Sequence, residues 1–272
     1  LPVTGGGATP GGDSAVRIGV LFPDLLGTYG DGGNATVLAQ RLAWRGIDVE
    51  LVTVAGGETA PDSCDLYLVG GGEDGPQTQA ARELAESRAL HRAVDRGATV
   101  LAVCAGMQIM GHRFPDATGT DRPGLGLLDC DTVRVDRPRA VGELLTSDAR
   151  IADPEGGPDV SIGVLTGFEN HAGRTVPGTE ARSLAPVEVG EGNGDTTEGV
   201  VCGRVVGTYL HGPVLARNPR LADLLLGWVV GADALGPIDD RAMDALRGDR
   251  IRAARQRELA PRRSWRDLLR HS

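Results

Sequence analysis

The sequence predicts an α/β protein. It should carry a mostly parallel central sheet with helices on both faces, plus a helical C-terminal extension. Two observations carry that prediction. Short apolar runs in the first half end in glycine-rich loops and are followed by amphipathic stretches, the alternation from which parallel sheets are built. The chain is 40% apolar but only 3% aromatic, so its core must consist of Val, Leu, Ile and Ala. Its 272 residues suffice for one large domain with extensions.

The elements follow in order. Residues 1–14 are rich in Gly, Pro, Thr and Ser, and a disordered segment is expected there. Leu1-Pro2-Val3-Thr4-Gly5 matches a sorting pattern far from its working place near a C-terminus, and is read as coincidence or a remnant. Residues 15–235 form the expected domain. Arg17–Leu21 reads as a first strand, followed by the glycine-rich Gly27–Asn34, a helix over Ala35–Arg45 closed by Gly46, and a second strand at Val49–Val54. Leu66–Val69 is a third strand, ending in Gly70-Gly71-Gly72. A helix is expected over Gln77–Arg96 with Gly97 as its stop, and then a buried strand runs into Cys104. Past residue 125 shorter strands at Thr132–Val135, Ser161–Thr166 and Val200–Val206 are expected to join the same sheet as mixed or antiparallel members. Leu221–Val230 reads as a helix. Residues 236–272 read as a helical extension with ten arginines against four acids between Arg241 and Arg270, either a solvated helix or a docking surface for an acidic partner.

Composition removes several functions. The net charge of −9 argues against general nucleic-acid binding. All 28 basic residues are arginine, so the chain has neither the lysine of a P-loop nor a Schiff-base lysine. No apolar run approaches a membrane span or a secretory core, which makes the cytoplasm the expected location. Cys64, Cys104, Cys130 and Cys202 form no CxxC pair, so neither zinc nor a redox motif is indicated and free thiols are expected.

One of the four thiols differs from the rest. Thr99-Val100-Leu101-Ala102-Val103 leads straight into Cys104-Ala105-Gly106, a strand ending on a sharp turn into a helix. Such an elbow lifts a nucleophile out of the sheet. Downstream, Gly207-Thr208-Tyr209-Leu210 ends on His211. A cysteine and a histidine at two strand ends suffice for nucleophilic acyl transfer. Cys104 would attack a carbonyl carbon, and His211 would take the thiol proton and return it to the leaving group. The backbone N–H groups of Gly71, Gly72 and Ala105 would hold the oxyanion.

In order and spacing, Gly70-Gly71-Gly72, Cys104-Ala105-Gly106-Met107-Gln108 and Tyr209-Leu210-His211-Gly212 resemble the class I, triad-type glutamine amidotransferase domains. The nearer likeness is to the branch that includes the cobyric acid synthase glutaminase domains. Pro23–Asn34, Gly167–Thr175 and Gly207–Pro213 look specifically like the GatD-type glutaminase subunits of lipid II isoglutaminyl synthases. The likeness covers about residues 16–232 and implies a flavodoxin-like fold. It also implies hydrolysis of L-glutamine to glutamate and ammonia through a γ-glutamyl thioester on Cys104. The ammonia would pass to a MurT-like Mur ligase in a heterodimer. That partner would bring the ATP and metal, reach lipid II, and convert its D-glutamate to D-isoglutamine. No cofactor is expected in this chain. Gln108 matches the family's substrate-side glutamine, and Arg139 is the candidate for gripping the substrate α-carboxylate, with Arg134 and Arg137 as rivals.

His171 in Phe168-Glu169-Asn170-His171 is expected to shape the mouth of the site rather than act as base. One departure stands out: His211 is followed by Gly212-Pro213, not by the H-x-E glutamate of many relatives. The missing carboxylate is expected from a residue elsewhere in the chain, such as Glu169, or, preferably, from the partner chain. Three other readings remain: a glutaminase subunit for a cobyric-acid-type amidation, a non-enzymatic flavodoxin-like binding module with a structural Cys104, and, more weakly supported, a hydrolase of esters or peptides, which glutamine specificity would distinguish.

Overall fold

The computed structural model describes residues 15–28 and 30–259, the last three of these by their backbone. The segment 1–14 and the tail beyond 259 lie outside the described residues, as does Tyr29. The first half builds the sheet: β1 (Val16–Leu21), α1 (Gly33–Ala43), β2 (Val49–Val54), β3 (Leu66–Val69), α2 (Asp74–Ser87), α3 (Ala89–Asp95), β4 (Thr99–Val103) and α4 (Ala105–Met110). The second half adds β5 (Arg113–Pro115), β6 (Asp121–Pro123), β7 (Cys130–Arg134), β8 (Ala140–Ile151), β9 (Val160–His171), β10 (Gly173–Pro177), β11 (Ala185–Val189) and β12 (Thr197–Glu198). It closes with β13 (Val200–Cys202), β14 (Val205–Thr208), α5 (Val214–Arg217), α6 (Pro219–Val230) and α7 (Arg241–Leu259).

The central sheet has the order β13-β14-β4-β3-β1-β2. Every pairing is parallel except the β13–β14 hairpin at one edge. The middle strands are buried along their whole length, as expected of strands covered on both faces by helices. Register places the functional segments together. Val69 lies beside Ala102, and Val103 beside Thr208. Gly70–Gly72, Cys104 and Tyr209–His211 therefore leave the sheet side by side at its C-terminal edge, where ligands bind in folds of this kind.

Two expectations are corrected. The helix expected over 77–96 is two helices, because Arg88 adopts a left-handed conformation (φ 48°, ψ 18°) between them. The break turns the fully buried Ala89, Leu90 and Ala93 of α3 into the core. Nothing in the local sequence signals it, since an arginine rarely takes this conformation. Of the later strands, β13 and β14 alone join the central sheet. The others form two four-stranded sheets, β10-β7-β5-β6 and β12-β11-β8-β9. The second contains a long β8–β9 hairpin whose far end reaches the active-site edge through an isolated bridge between Phe168 and His211. No helix among the described residues is long and apolar enough to cross a membrane.

Candidate active site

Cys104 sits at the joint between β4 and α4 with φ 51° and ψ −106°. A side chain at positive φ is strained by about 1–3 kcal/mol and persists only where its surroundings enforce it. Here the Cys104 N–H is pinned to the Thr208 carbonyl at 2.8 Å and α4 begins at once. The other cysteines are unlike it. Burial pushes the Cys130 thiol up to about 12 and raises those of Cys64 and Cys202 as well, which disfavours the nucleophilic thiolate at all three.

His211 follows β14. The bridge to β9 fixes its backbone: the His211 N–H donates to the Phe168 carbonyl at 2.7 Å, and the Phe168 N–H donates back at 3.2 Å. The His211 ring Nδ1 faces Asp31 Oδ2 at 3.1 Å, and each side chain is only 1% exposed. Burial pulls the imidazole down. The hydrogen bond with Asp31, then the hydrogen bond and charge of Cys104, more than offset it, leaving His211 raised to about 9. The three side chains meet around Gly71. A methyl carbon placed there would lie 2.7 Å from His211 Cε1, 3.2 Å from Asp31 Oδ2 and 3.4 Å from the Cβ of Cys104.

Asp31 is the functional residue that sequence reasoning missed. The acid that orients His211 is not Glu169, and it lies within this chain. Asp31 precedes α1 in the glycine-rich segment, which is clamped against the residues after His211. The Leu215 N–H donates to Asn34 Oδ1 at 3.0 Å, and Gly33 packs so closely on Pro213 that a Cβ would come within 2.4 Å of its ring. The only available signal was an acidic residue among glycines in a segment already singled out, 180 residues from its partner.

Gly71 is also corrected. Its N–H donates to Asp31 Oδ2 at 2.9 Å, so it steadies the triad acid instead of facing an oxyanion. Gly72 and Ala105 do line the cavity beside Cys104. Ala105 opens α4, where an N–H has no acceptor within the helix.

That cavity, of about 640 Å³, brings Cys104 together with Gln108, Arg134, Arg137, Arg139 and His171. Gln108 Nε2 donates to the Tyr209 hydroxyl at 3.3 Å, and its Oε1 accepts from Gln77 Nε2 at 2.8 Å. Arg139 is held by Asn170, its Nε donating to the side-chain oxygen and its Nη2 to the carbonyl at 3.0 Å. Arg137 pairs with Glu191 at 2.7 Å. A larger cavity, about 1140 Å³, opens at the opposite end of the sheet beside Cys64, Arg204 and Trp228. It holds none of the elbow chemistry, so size is outweighed here by the strained nucleophile and its buried partners.

The family model for the CobB/CobQ-like glutamine amidotransferase domain matches residues 17–219. The chain belongs to this family. This amidotransferase domain is 36% identical over 210 residues to the GatD subunit of lipid II isoglutaminyl synthase (glutamine-hydrolyzing) from Staphylococcus aureus, covering 76% of this chain and 81% of that protein. It is 30% identical to the GatD subunit from Streptococcus pneumoniae, with 76% and 77% covered. A probable cobyric acid synthase from Methanoregula boonei is 36% identical, but over 61% of this chain and 32% of its own length. Among solved structures, a glutamine amidotransferase superposes with a TM-score of 0.51 at 21% identity, covering 78% of this chain and 98% of that one. That likeness supports the α/β fold.

Proposed function

We propose that this chain is the glutaminase subunit of a lipid II isoglutaminyl synthase. The observation that carries the chemistry is the buried Cys104, His211 and Asp31 arrangement at the sheet edge. The Cys104 sulfur attacks the side-chain amide carbon of L-glutamine. The oxygen left negative is stabilised by backbone N–H groups beside the elbow, Ala105 foremost. His211, protonated at neutral pH and aligned by Asp31, gives its proton to the departing nitrogen, and ammonia leaves a γ-glutamyl thioester on Cys104. Water, deprotonated by His211, then attacks the thioester and releases glutamate. Arg139, already steadied by Asn170, meets the substrate α-carboxylate, and Gln108 contacts the bound amino acid.

The acceptor half belongs to a partner. A MurT-like Mur ligase in the cytoplasm would supply the ATP and metal and use the ammonia on the D-glutamate of the lipid II stem peptide. Support for this acceptor comes from the two GatD subunits, which this chain matches over 81% and 77% of their lengths, against 32% of the cobyric acid synthase. The test is reconstitution of the chain with a Mur-ligase-type partner, ATP, glutamine and lipid II. Conversion of the stem-peptide glutamate to isoglutamine, lost with Cys104→Ala and restored by free ammonia, is expected. Glutamine turnover with no amidation of lipid II, alongside amidation of a corrin carboxylate, would overturn the acceptor assignment.

A further inference from the structure

The wall of the site contains a second buried pair that the chemistry above does not use. Glu169 and His171 stand two apart on β9 and share a face, with side chains 3% and 1% exposed. The His171 ring has an acceptor at each nitrogen: the Gly173 carbonyl lies 3.1 Å from Nδ1, and Glu169 Oε2 lies 3.1 Å from Nε2. The Glu169 carboxylate also takes the N–H groups of Glu191 at 2.8 Å and Gly192 at 3.0 Å. The ring face lies on Tyr209, with centroids 3.7 Å apart and planes 13° from parallel.

Every anchor of this pair ends on a group that lines the Cys104 cavity. Asn170, between the two residues, sets its carbonyl 3.9 Å from the Cys104 sulfur and holds Arg139 with its carbonyl and side chain. The turn gripped by Glu169 carries Glu191, whose carboxylate holds Arg137. Tyr209, pressed by the His171 ring, accepts the hydrogen bond from Gln108. We infer that the Glu169–His171 pair is a positioning element for the amino-acid end of glutamine, setting Arg137, Arg139 and Gln108 at fixed places relative to Cys104. The inference rests on the glutaminase reading. A neutral pair of similar volume would fill the wall equally well. It would not aim the turn at Glu191 and Gly192, whose direction comes from hydrogen bonds to the Glu169 carboxylate, nor fix the two residues that flank Asn170 on β9.

The test uses full-length chain together with its ligase partner. His171→Phe keeps an aromatic face on Tyr209 but leaves the Glu169 side chain buried without its ring partner, so both stability and glutamine binding should suffer. The double variant Glu169→Gln/His171→Phe has no buried charge and should regain most of its thermal midpoint. Its KM for glutamine is nonetheless expected to stay raised about tenfold or more, while kcat changes by less than about threefold. A folded double variant with the wild-type KM would show that the pair only fills space, and would overturn the inference. Absence of glutamine turnover by the wild-type chain would count against the glutaminase reading instead. The pair is then judged by the rate at which iodoacetamide alkylates Cys104. That rate should change severalfold in the double variant as the end of β9 that sets Asn170 against Cys104 shifts, and an unchanged rate would overturn the inference.

Discussion

Replacing Asp31 by asparagine removes one charge from the centre of the site and almost nothing else. The side chain keeps its shape, and its oxygen can still accept the N–H of Gly71 and the Nδ1–H of His211. What goes is the buried carboxylate 3.1 Å from the ring. His211 stands raised from 6.5 to about 9 against burial, the largest influence acting on it. A shift of that size corresponds to roughly 3 kcal/mol of preference for the protonated ring. With the Asp31 contribution gone, Cys104 alone opposes burial, so the ring holds its proton less firmly and serves the departing ammonia less well as a donor. Loss of the orienting carboxylate from a Ser-His-Asp triad costs about 10⁴-fold in kcat, and a fall of about 10²–10⁴-fold is expected here. KM should change little, since Asp31 does not line the cavity. The assay is initial-rate glutamate release from pH 5.5 to 10. Asp31→Asn should lower kcat throughout and move the basic limb of the profile toward acid. A variant within about threefold of wild type, with its basic limb unmoved, would refute the assignment of Asp31 as the orienting acid.

Three further outcomes follow from the same geometry. Gly71→Ala places a methyl 2.7 Å from His211 Cε1, and displacing the ring should cost about 100-fold in kcat; wild-type turnover would contradict the packing. His211 also links stability to pH. Its folded value of about 9 lies above the ordinary 6.5, so its contribution is full below 6.5 and lost as pH rises through about 9. The thermal midpoint should fall across that window, and fall less in Asp31→Asn. Glu198 is fully buried, with Oε1 accepting from Thr208 Oγ1 at 2.5 Å and the Tyr209 N–H at 2.8 Å. Burial raises its carboxyl from 4.5 to about 7, so its contribution is full below 4.5 and lost as pH rises through about 7. Glu198→Gln keeps an acceptor for both bonds and cannot ionise, so it should flatten the loss of stability between those values. An unchanged slope would show that the carboxyl does not titrate there.

The site was legible where its chemistry is written in consecutive residues. The apolar run before Cys104, the glycines after Val69 and the apolar run before His211 each state a strand and its ending, and parallel pairing brings the three endings together. Asp31 was hidden because its role depends on where α1 docks on the segment after His211, a contact no local pattern describes. The residues next to His211, Gly212 and Pro213, carry no acid and give no hint of it. The role of the Gly71 N–H is hidden for the same reason: its acceptor, Asp31, is brought to it only by the tertiary fold. The left-handed Arg88 and the β8–β9 sheet share this character. Tertiary packing decides both, and local propensity for an arginine or a short polar strand does not reveal it.

Everything proposed for this chain depends on Cys104 acting as a nucleophile directed at glutamine. The most direct test is the intact mass of the chain after incubation with the electrophilic glutamine analogue 6-diazo-5-oxo-L-norleucine, with and without the ligase partner and with Cys104→Ala as control. A single adduct is expected on the native chain, prevented by excess glutamine and absent from the variant. No adduct under either condition, or one that persists in Cys104→Ala, would contradict it.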